Sequence, residues 1–188
     1  MDFFVFSRDG ADSGPLRDDL DLLEAHWSYM DGLAGSMIAR GPTLAADRET
    51  ATGSLHVLGL PSVDAACDFV DREPNNRAGV YAEHLVWRFE NLLGRTMWEF
   101  QGPEDEPRFL VVARSVSPPV SLDGLSAELR ERLIVYGALT TLDGEQAGVA
   151  LAVQAPDRQA VDRLLAESRL GLGTAAIEIH DWEFGGRR

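Results

Sequence analysis

Four histidines and one cysteine are the side chains of this 188-residue chain best suited to proton transfer or nucleophilic attack. His26 lies in a segment of helical periodicity, whereas His56, His84 and His180 lie in short apolar segments that read as strands. An imidazole titrating near neutrality and oriented by a carboxylate can take a proton from a small substrate or deliver one, and His26 is the candidate for that work. The other histidines form no His-x-His or His-Glu-x-x-His pattern, so no metal site is expected without convergence in space. Cys67 has no partner for an intrachain disulfide, and its place in an amphipathic segment predicts a small buried hydrophobe.

Composition narrows the chemistry further. All 17 basic residues are arginine, so the chain can neither form a lysine Schiff base nor place a P-loop lysine on nucleotide phosphates. Gly171-Leu172-Gly173 follows a helical segment rather than opening one, which argues against a dinucleotide site, and no cofactor is expected. With 31 acidic residues the formal charge is −14, and no run of arginine is set aside for a phosphate backbone, so no nucleic-acid partner is expected. Met1 to Phe6 has no cationic lead, and nowhere do eighteen apolar residues follow one another; the expectation is a cytoplasmic protein with no membrane partner. A hydrophobic content of 45% suffices for a packed core.

The element that must position His26 is a helix. From Leu16 the apolar residues Leu20, Leu23, Trp27, Met30 and Ala34 recur at steps of four and three, with Pro15 at the start and Gly35 beyond the end. His26 sits about 80° around from that stripe at 100° per residue. With Leu22, Tyr29 and Leu33 it forms a second, shallower stripe that faces either a cleft or a partner domain. Phe3 to Phe6 before this helix reads as a strand, as do Ser36 to Ala39 and Ser54 to Leu58 after it. Ser62 opens a second helix whose inner face is Val63, Ala66 and Val70, and the segment from Asp71 to Gly79 ends it. His84 to Glu90 is a fourth strand with Leu85, Trp87 and Phe89 on one face, far better suited to sheet core than to a cofactor.

This β-α-β-β-α-β order repeats. Gly53 to Leu58 aligns with Gly148 to Val153 at a shift of 95 residues, which also pairs Pro61 with Pro156, Trp87 with Trp182 and Phe89 with Phe184. Upstream, a shift of 106 aligns Phe3 to Phe6 with Phe109 to Val112 and Arg8 with Arg114, the difference falling in the connection between the second and third strands. The later elements are Phe109 to Ala113, a helix carrying Leu125, Leu129, Leu133 and Tyr136, a strand over Leu139 to Leu142, Gly148 to Val153, a helix after Asp157, and Ile177 to Phe184. The polar, proline-bracketed stretch Gln101 to Pro107 reads as a linker, with Asn91 to Phe100 packing onto the first domain. The expected architecture is α+β: ferredoxin-like domains over 1–101 and 102–188, each with a four-stranded antiparallel sheet and both helices on one face. Their open faces would pack together as a barrel-like pseudo-dimer, closing within one monomeric chain or between chains of a homodimer.

Glu24-Ala25-His26, Arg40-Gly41-Pro42, Gly53-Ser54 and the stretch from Asp71 through Glu73-Pro74-Asn75-Asn76-Arg77-Ala78-Gly79 to Tyr81 together resemble the YciI-like (YCII-related) family across residues 1 to about 90. The resemblance implies a dimeric α/β-barrel fold and a site made of a histidine in the first helix and an acidic residue before the proline that ends the second. These are His26 and Glu73 here, the latter where the family usually carries Asp. Among the few members with a proposed activity is a dehydrochlorinase of chlorinated hydroxyquinones. It implies a cofactor-free acid/base enzyme of lyase or isomerase type, acting on a small cyclic or phenolic metabolite. The alternative is a non-catalytic small-molecule-binding or structural module. Arg8, Tyr29, Arg40, Ser54 and Arg77 are the candidate substrate-binding residues. For Arg8, matched by Arg114, an interdomain ion pair is the favoured alternative to anion binding. The same alignment sets Arg132 opposite His26 and Ser168 opposite Glu73, so the second copy lacks both candidate groups and is expected mainly to complete the barrel.

Overall fold

A computed structural model of the chain describes residues 1–114, 120–168, 170, 172 and 175–186; Gly171 and Gly173 lie outside the described residues. Its strands are β1 (Asp2–Asp9), β2 (Met37–Leu44), β3 (Ala51–Gly59), β4 (Tyr81–Asn91), β5 (Arg108–Arg114), β6 (Leu133–Thr140), β7 (Gln146–Gln154) and β8 (Ala176–Trp182). They close into one antiparallel barrel in the order β1-β3-β2-β8-β5-β7-β6-β4. The first four strands thus run β4-β1-β3-β2 and the last four β8-β5-β7-β6, the same sequence of neighbours. Two seams join the halves: Arg88 to Asn91 of β4 pair with Gly137 to Thr140 of β6, and Thr43 and Leu44 of β2 pair with Trp182 and Asp181 of β8. Each seam covers edges that would otherwise expose unpaired backbone.

Period-two alternation divides the core into an inside and two outsides. Phe4, Phe6, Leu55, Val57, Leu110, Val112, Ala150 and Ala152 fill the barrel with Trp182 and Met97. Their neighbours point out: Val5 and Leu58 beneath the first half's helices, and Phe109, Val111, Leu151 and Val153 beneath the second half's. Strands buried on both faces read as unbroken apolar runs such as Phe3 to Phe6 and Phe109 to Ala113.

The helices are α1 (Gly14–Arg17), α2 (Leu20–Asp31), α3 (Val63–Arg72), α4 (Pro74–Ala78), α5 (Ala127–Arg132) and α6 (Arg158–Glu167). Among the described residues no helix is long and apolar enough to cross a membrane. The stripe from Leu16 predicts one helix, but there are two, because the Asp19 side chain accepts from the amides of Asp21 and Leu22 and starts α2 afresh. Leu20, in that stripe, is 77% exposed. Cys67 is exposed, not buried: it lies about 110° from the centre of the stripe that α3 buries, made of Ala66, Phe69 and Val70.

The largest difference is in the second half, where Leu133 and Tyr136 belong to β6 rather than to the helix before it. A register shift between Leu133 and Val135 inserts a residue, so the outward-facing Leu133 and Tyr136 stand three apart instead of two. A bulge therefore imitates helical spacing. The linker from Gln101 has no regular structure; before it Met97 fills the barrel, while Leu92 and Leu93 pack against the second half's outer cluster rather than onto the first half, because they follow the end of β4 that pairs with β6.

Candidate functional site

The outer face of the first half's sheet carries a polar patch that strand pairing assembles. Arg40 of β2 stands opposite His56 of β3, and one step of two away Pro42 faces Ser54, Ser54 faces Ser7 of β1, and Ser7 faces His84 of β4. Helix α2 lies over this face and leaves a cleft of about 260 Å³ whose walls include Arg17, His26, Trp27, Arg40, Ser54 and His56. The cleft lies outside the barrel wall; the barrel interior is occupied by the aromatic and aliphatic core.

His26 and Glu73 meet directly, with Nδ1 2.5 Å from Oε1. The backbone turn that delivers Glu73 is built by its neighbours. Glu73 ends α3 and caps α4, its Oε2 accepting from the Asn76 amide at 2.7 Å, while Pro74 takes the first turn and Gly79, at φ 83°, closes the helix in the left-handed region. One carboxylate, 3% exposed at its side chain, thus holds both a helix start and an imidazole. With Glu73 accepting at Nδ1, the proton-bearing tautomer is set and Nε2 is the nitrogen left to act on a ligand.

Around this pair the other polar groups are fixed. His84 bridges Asn76 Oδ1 through Nε2 at 2.7 Å and Ser7 Oγ through Nδ1 at 2.9 Å, and burial pushes its pKa down. The His56 ring lies 5.9 Å from that of His26, and burial, reinforced by the repulsion a proton on it would meet from His26, Arg40 and Arg17, holds His56 well below its ordinary range and neutral. Arg17 forks onto Asp9 at 2.9 and 2.7 Å and reaches Ser54 Oγ at 3.3 Å; Tyr81, raised by burial and by the Glu73 charge, donates to the same Oγ at 3.1 Å. The arrangement can hold a small molecule against one oriented imidazole among arginine donors. Among the described residues no group of three or more His, Cys, Asp or Glu side chains is placed to hold a metal.

Of the residues singled out from sequence, His26, Arg40 and Ser54 line the cleft, with Glu73 behind His26. Arg8, Tyr29 and Arg77 do not line it. The Tyr29 hydroxyl turns inward and donates to Phe69 O at 3.0 Å, Arg77 is exposed on α4, and Arg8 joins the halves by pairing with Glu178 at 2.5 Å while also pairing with Glu83 of its own half at 3.4 Å. Arg114 reaches the same Glu178 at 2.8 Å. Arg17 and His56 were not foreseen. The signal for His56 was present: with Thr52 and Ser54 it sets three polar groups at period two along the strand, under a sheet face due to be covered by helices.

The profile of the YCII-related domain matches residues 1–90. No curated protein matches the chain. A 5-chloro-2-hydroxyhydroquinone dehydrochlorinase, TftG, from Burkholderia phenoliruptrix, solved with 2,5-dihydroxybenzoquinone, is 30% identical over 48% of this chain and 95% of its own, with a TM-score of 0.45. A mutant chlorite dismutase from Candidatus Nitrospira defluvii (9% identity, 96% of this chain, 91% of that one, TM-score 0.55) and a heme-binding protein from Thermus thermophilus (9% identity, 96% and 90%, TM-score 0.53) share the fold over nearly the whole chain. The matched domain and the 30% identity spanning almost all of one relative place this protein by sequence: the chain belongs to the YCII-related family.

Proposed function

We propose that the protein is an acid/base enzyme of lyase or isomerase type that acts on a small cyclic or phenolic metabolite in the α2 cleft. His26 is the general base and acid, and Glu73 orients it. The observation that carries this reading is the 2.5 Å contact from Glu73 to Nδ1 of a histidine whose ring lines a cleft. In an elimination, Nε2 takes one proton from the ring or its hydroxyl, the electron pair moves into the ring, and a substituent leaves with the electrons of its own bond. The carboxylate steadies the imidazolium that forms, and no electron acceptor is consumed. The family and the sequence relation to a dehydrochlorinase support the choice of substrate class.

We also infer that 1–101 and 102–188 are unequal copies of one ancestral domain. The shifts of 106 and 95 residues and the equal neighbour order of the strands support this. On that reading the active copy is the first, since Arg132 pairs with Glu106 at 3.0 Å and Ser168 Oγ receives the Ser126 amide at 3.4 Å, without forming an acid/base pair.

The test is to supply 5-chloro-2-hydroxyhydroquinone and related halogenated hydroquinones and to follow halide release. Turnover is expected, with His26→Ala abolishing it while circular dichroism and the unfolding midpoint show an intact fold. Unchanged turnover in His26→Ala refutes the catalytic role. Saturable binding of these compounds without turnover moves the assignment to a non-catalytic binding module.

A further inference from the structure

The segment Glu183–Gly186, the last described residues of the second half, reaches the site of the first. Past β8 the Glu183 amide donates to Pro42 O at 3.2 Å and the Gly185 amide to Arg40 O at 2.9 Å, so the chain continues along β2, and Phe184, Gly185 and Gly186 form one side of the cleft. This approach is backbone against backbone. A Cβ on Gly41 would lie 1.8 Å from Glu183 O, one on Gly185 2.6 Å from Gly41 Cα, and one on Gly186 2.2 Å from Arg40 Nη2. At Gly41 and Gly185 only glycine permits that spacing against backbone, whereas a methyl group at Gly186, whose φ is 93°, would displace the Arg40 guanidinium.

The segment also fixes a charge. Arg40 Nε donates to Gly185 O at 3.2 Å, its Nη2 stands 3.7 Å from Asp31 Oδ1, and its guanidinium lies 6.0 Å from the Trp98 ring centre. Its side chain is 7% exposed, which sets the cation deep in the cleft wall. In a chain where acidic residues outnumber basic ones 31 to 17, the cleft lining among the described residues contains Arg17, Arg40, His26 and His56 and no carboxylate, while Asp9, Asp31 and Glu73 stand behind Arg17, Arg40 and His26 as their partners.

We propose that the cleft selects a planar organic anion, a single-ring phenolate, enolate or carboxylate, and that Glu183–Gly186 is a strap that determines this selectivity by holding Arg40 in place and closing the side of the cleft beyond β2. The inference rests on the reading of the His26 cleft as the substrate site and adds the ligand's charge and the segment that enforces it. Planar guanidinium forks suit an oxyanion. Trp27 and Phe184 also line the cleft and supply apolar surface for the flat part of the ligand. Neutral His56 can hydrogen-bond without altering the charge balance.

Isothermal titration of the full chain at neutral pH with 2,5-dihydroxybenzoquinone, an acidic and hence anionic probe, and with hydroquinone, its neutral counterpart, tests the idea. The anion is expected to bind at least roughly tenfold tighter, about 1.4 kcal/mol. A chain ending at Glu183 should lose that tenfold preference while unfolding at a similar temperature, because β8 already ends at Trp182. Arg40→Gln should lose it too. Should the truncation perturb folding, Gly186→Ala, whose methyl group intrudes on the guanidinium, gives the same readout in a complete chain. Equal affinity for both probes, or saturable binding of neither, overturns the anion site; undiminished preference in the truncated chain and in Gly186→Ala overturns the strap. Loss of preference in these variants alongside a fully active His26→Ala would remove the catalytic reading and leave the anion site standing.

Discussion

The contact between His26 and Glu73 can be weighed by a double-mutant cycle. Glu73→Ala removes two interactions at once. Loss of the cap on α4 costs about 1 kcal/mol, and loss of a buried charge-assisted hydrogen bond costs about 1.5–3 kcal/mol. A total near 3 kcal/mol lowers the midpoint of a chain this long by roughly 6–12 °C. His26→Ala leaves the cap intact and strands a carboxylate that is 3% exposed, so it should also destabilise, by about 1–3 kcal/mol. In the double variant only the cap and the packing are lost beyond the pair itself. The singles should therefore exceed the double by a coupling energy of about 1.5–3 kcal/mol. Urea unfolding followed by tryptophan fluorescence measures all four proteins. Glu73→Gln then separates orientation from stability. The amide turns one of the two accepting oxygens into an NH2 that can only donate and removes the charge that steadies the imidazolium, so turnover should fall by roughly 10²–10⁴. A coupling energy within about 0.5 kcal/mol of zero, with Glu73→Gln turning over at the native rate, would refute the claim that the carboxylate positions the base.

Other consequences can be checked singly. Because His56 is held neutral in the folded state, unfolding takes up a proton on it below about pH 6.5, so His56 alone should contribute up to about 1.4 kcal/mol per pH unit to the fall in stability on acidification, with His84 and His180 adding in the same direction; His56→Gln should reduce the slope by that share, and an unchanged slope would contradict the assignment. Cys67, exposed on α3, should react with a thiol reagent in the native protein at one equivalent per chain, whereas a slow reaction limited by unfolding would place it inside. Glu178 is drawn below its ordinary range by the hydrogen bond and charge of Arg8 and by the charge of Arg114, which outweigh its burial, so its contribution is present at neutral pH and lost as pH falls through the carboxylate range; with partners this exposed, Glu178→Gln should cost only about 1 kcal/mol, and less at high salt.

Apolar runs and terminal motifs made most of the fold legible. Phe3 to Phe6 and Phe109 to Ala113 had to be strands because both their faces are buried, and the constant shifts placed the later elements. The reading failed where local geometry breaks a period. Asp19 restarts a helix that the leucine spacing runs through, and the bulge before Val135 makes two strand residues look helical. The site was legible only in part, for a different reason. His26 and Glu73 lie 47 residues apart, and it was their motifs, through the family resemblance, that linked them. Arg17, His56 and the strap at Glu183–Gly186 reach the cleft through strand order and seam closure, which no single segment encodes.

The same topology explains why, among the described residues, the cleft over the first half's sheet has no counterpart at the corresponding place over the second half's sheet. Across β6 and β7, Tyr136 faces Leu151 and Ala138 faces Val149, the positions that Arg40, His56, Pro42 and Ser54 hold across β2 and β3. Tyr136, Leu151 and Val149 are buried in an apolar cluster, and Leu92 and Leu93, which follow β4, pack against it. On the first half's side the chain past β8 brings Phe184 and two glycines instead, and the face beneath carries arginine and histidine. Filling a pocket with apolar side chains stabilises a fold by about 25 cal/mol per Å² removed from water, whereas a buried neutral histidine beside two arginines forgoes that gain and carries a desolvation cost. A face kept polar at such expense, next to a half in which the corresponding face is packed shut, is what the proposed ligand site requires. The asymmetry also gives the second half a role beyond completing the barrel, because its own seam supplies the wall that makes the first half's polar face a cleft rather than an open surface.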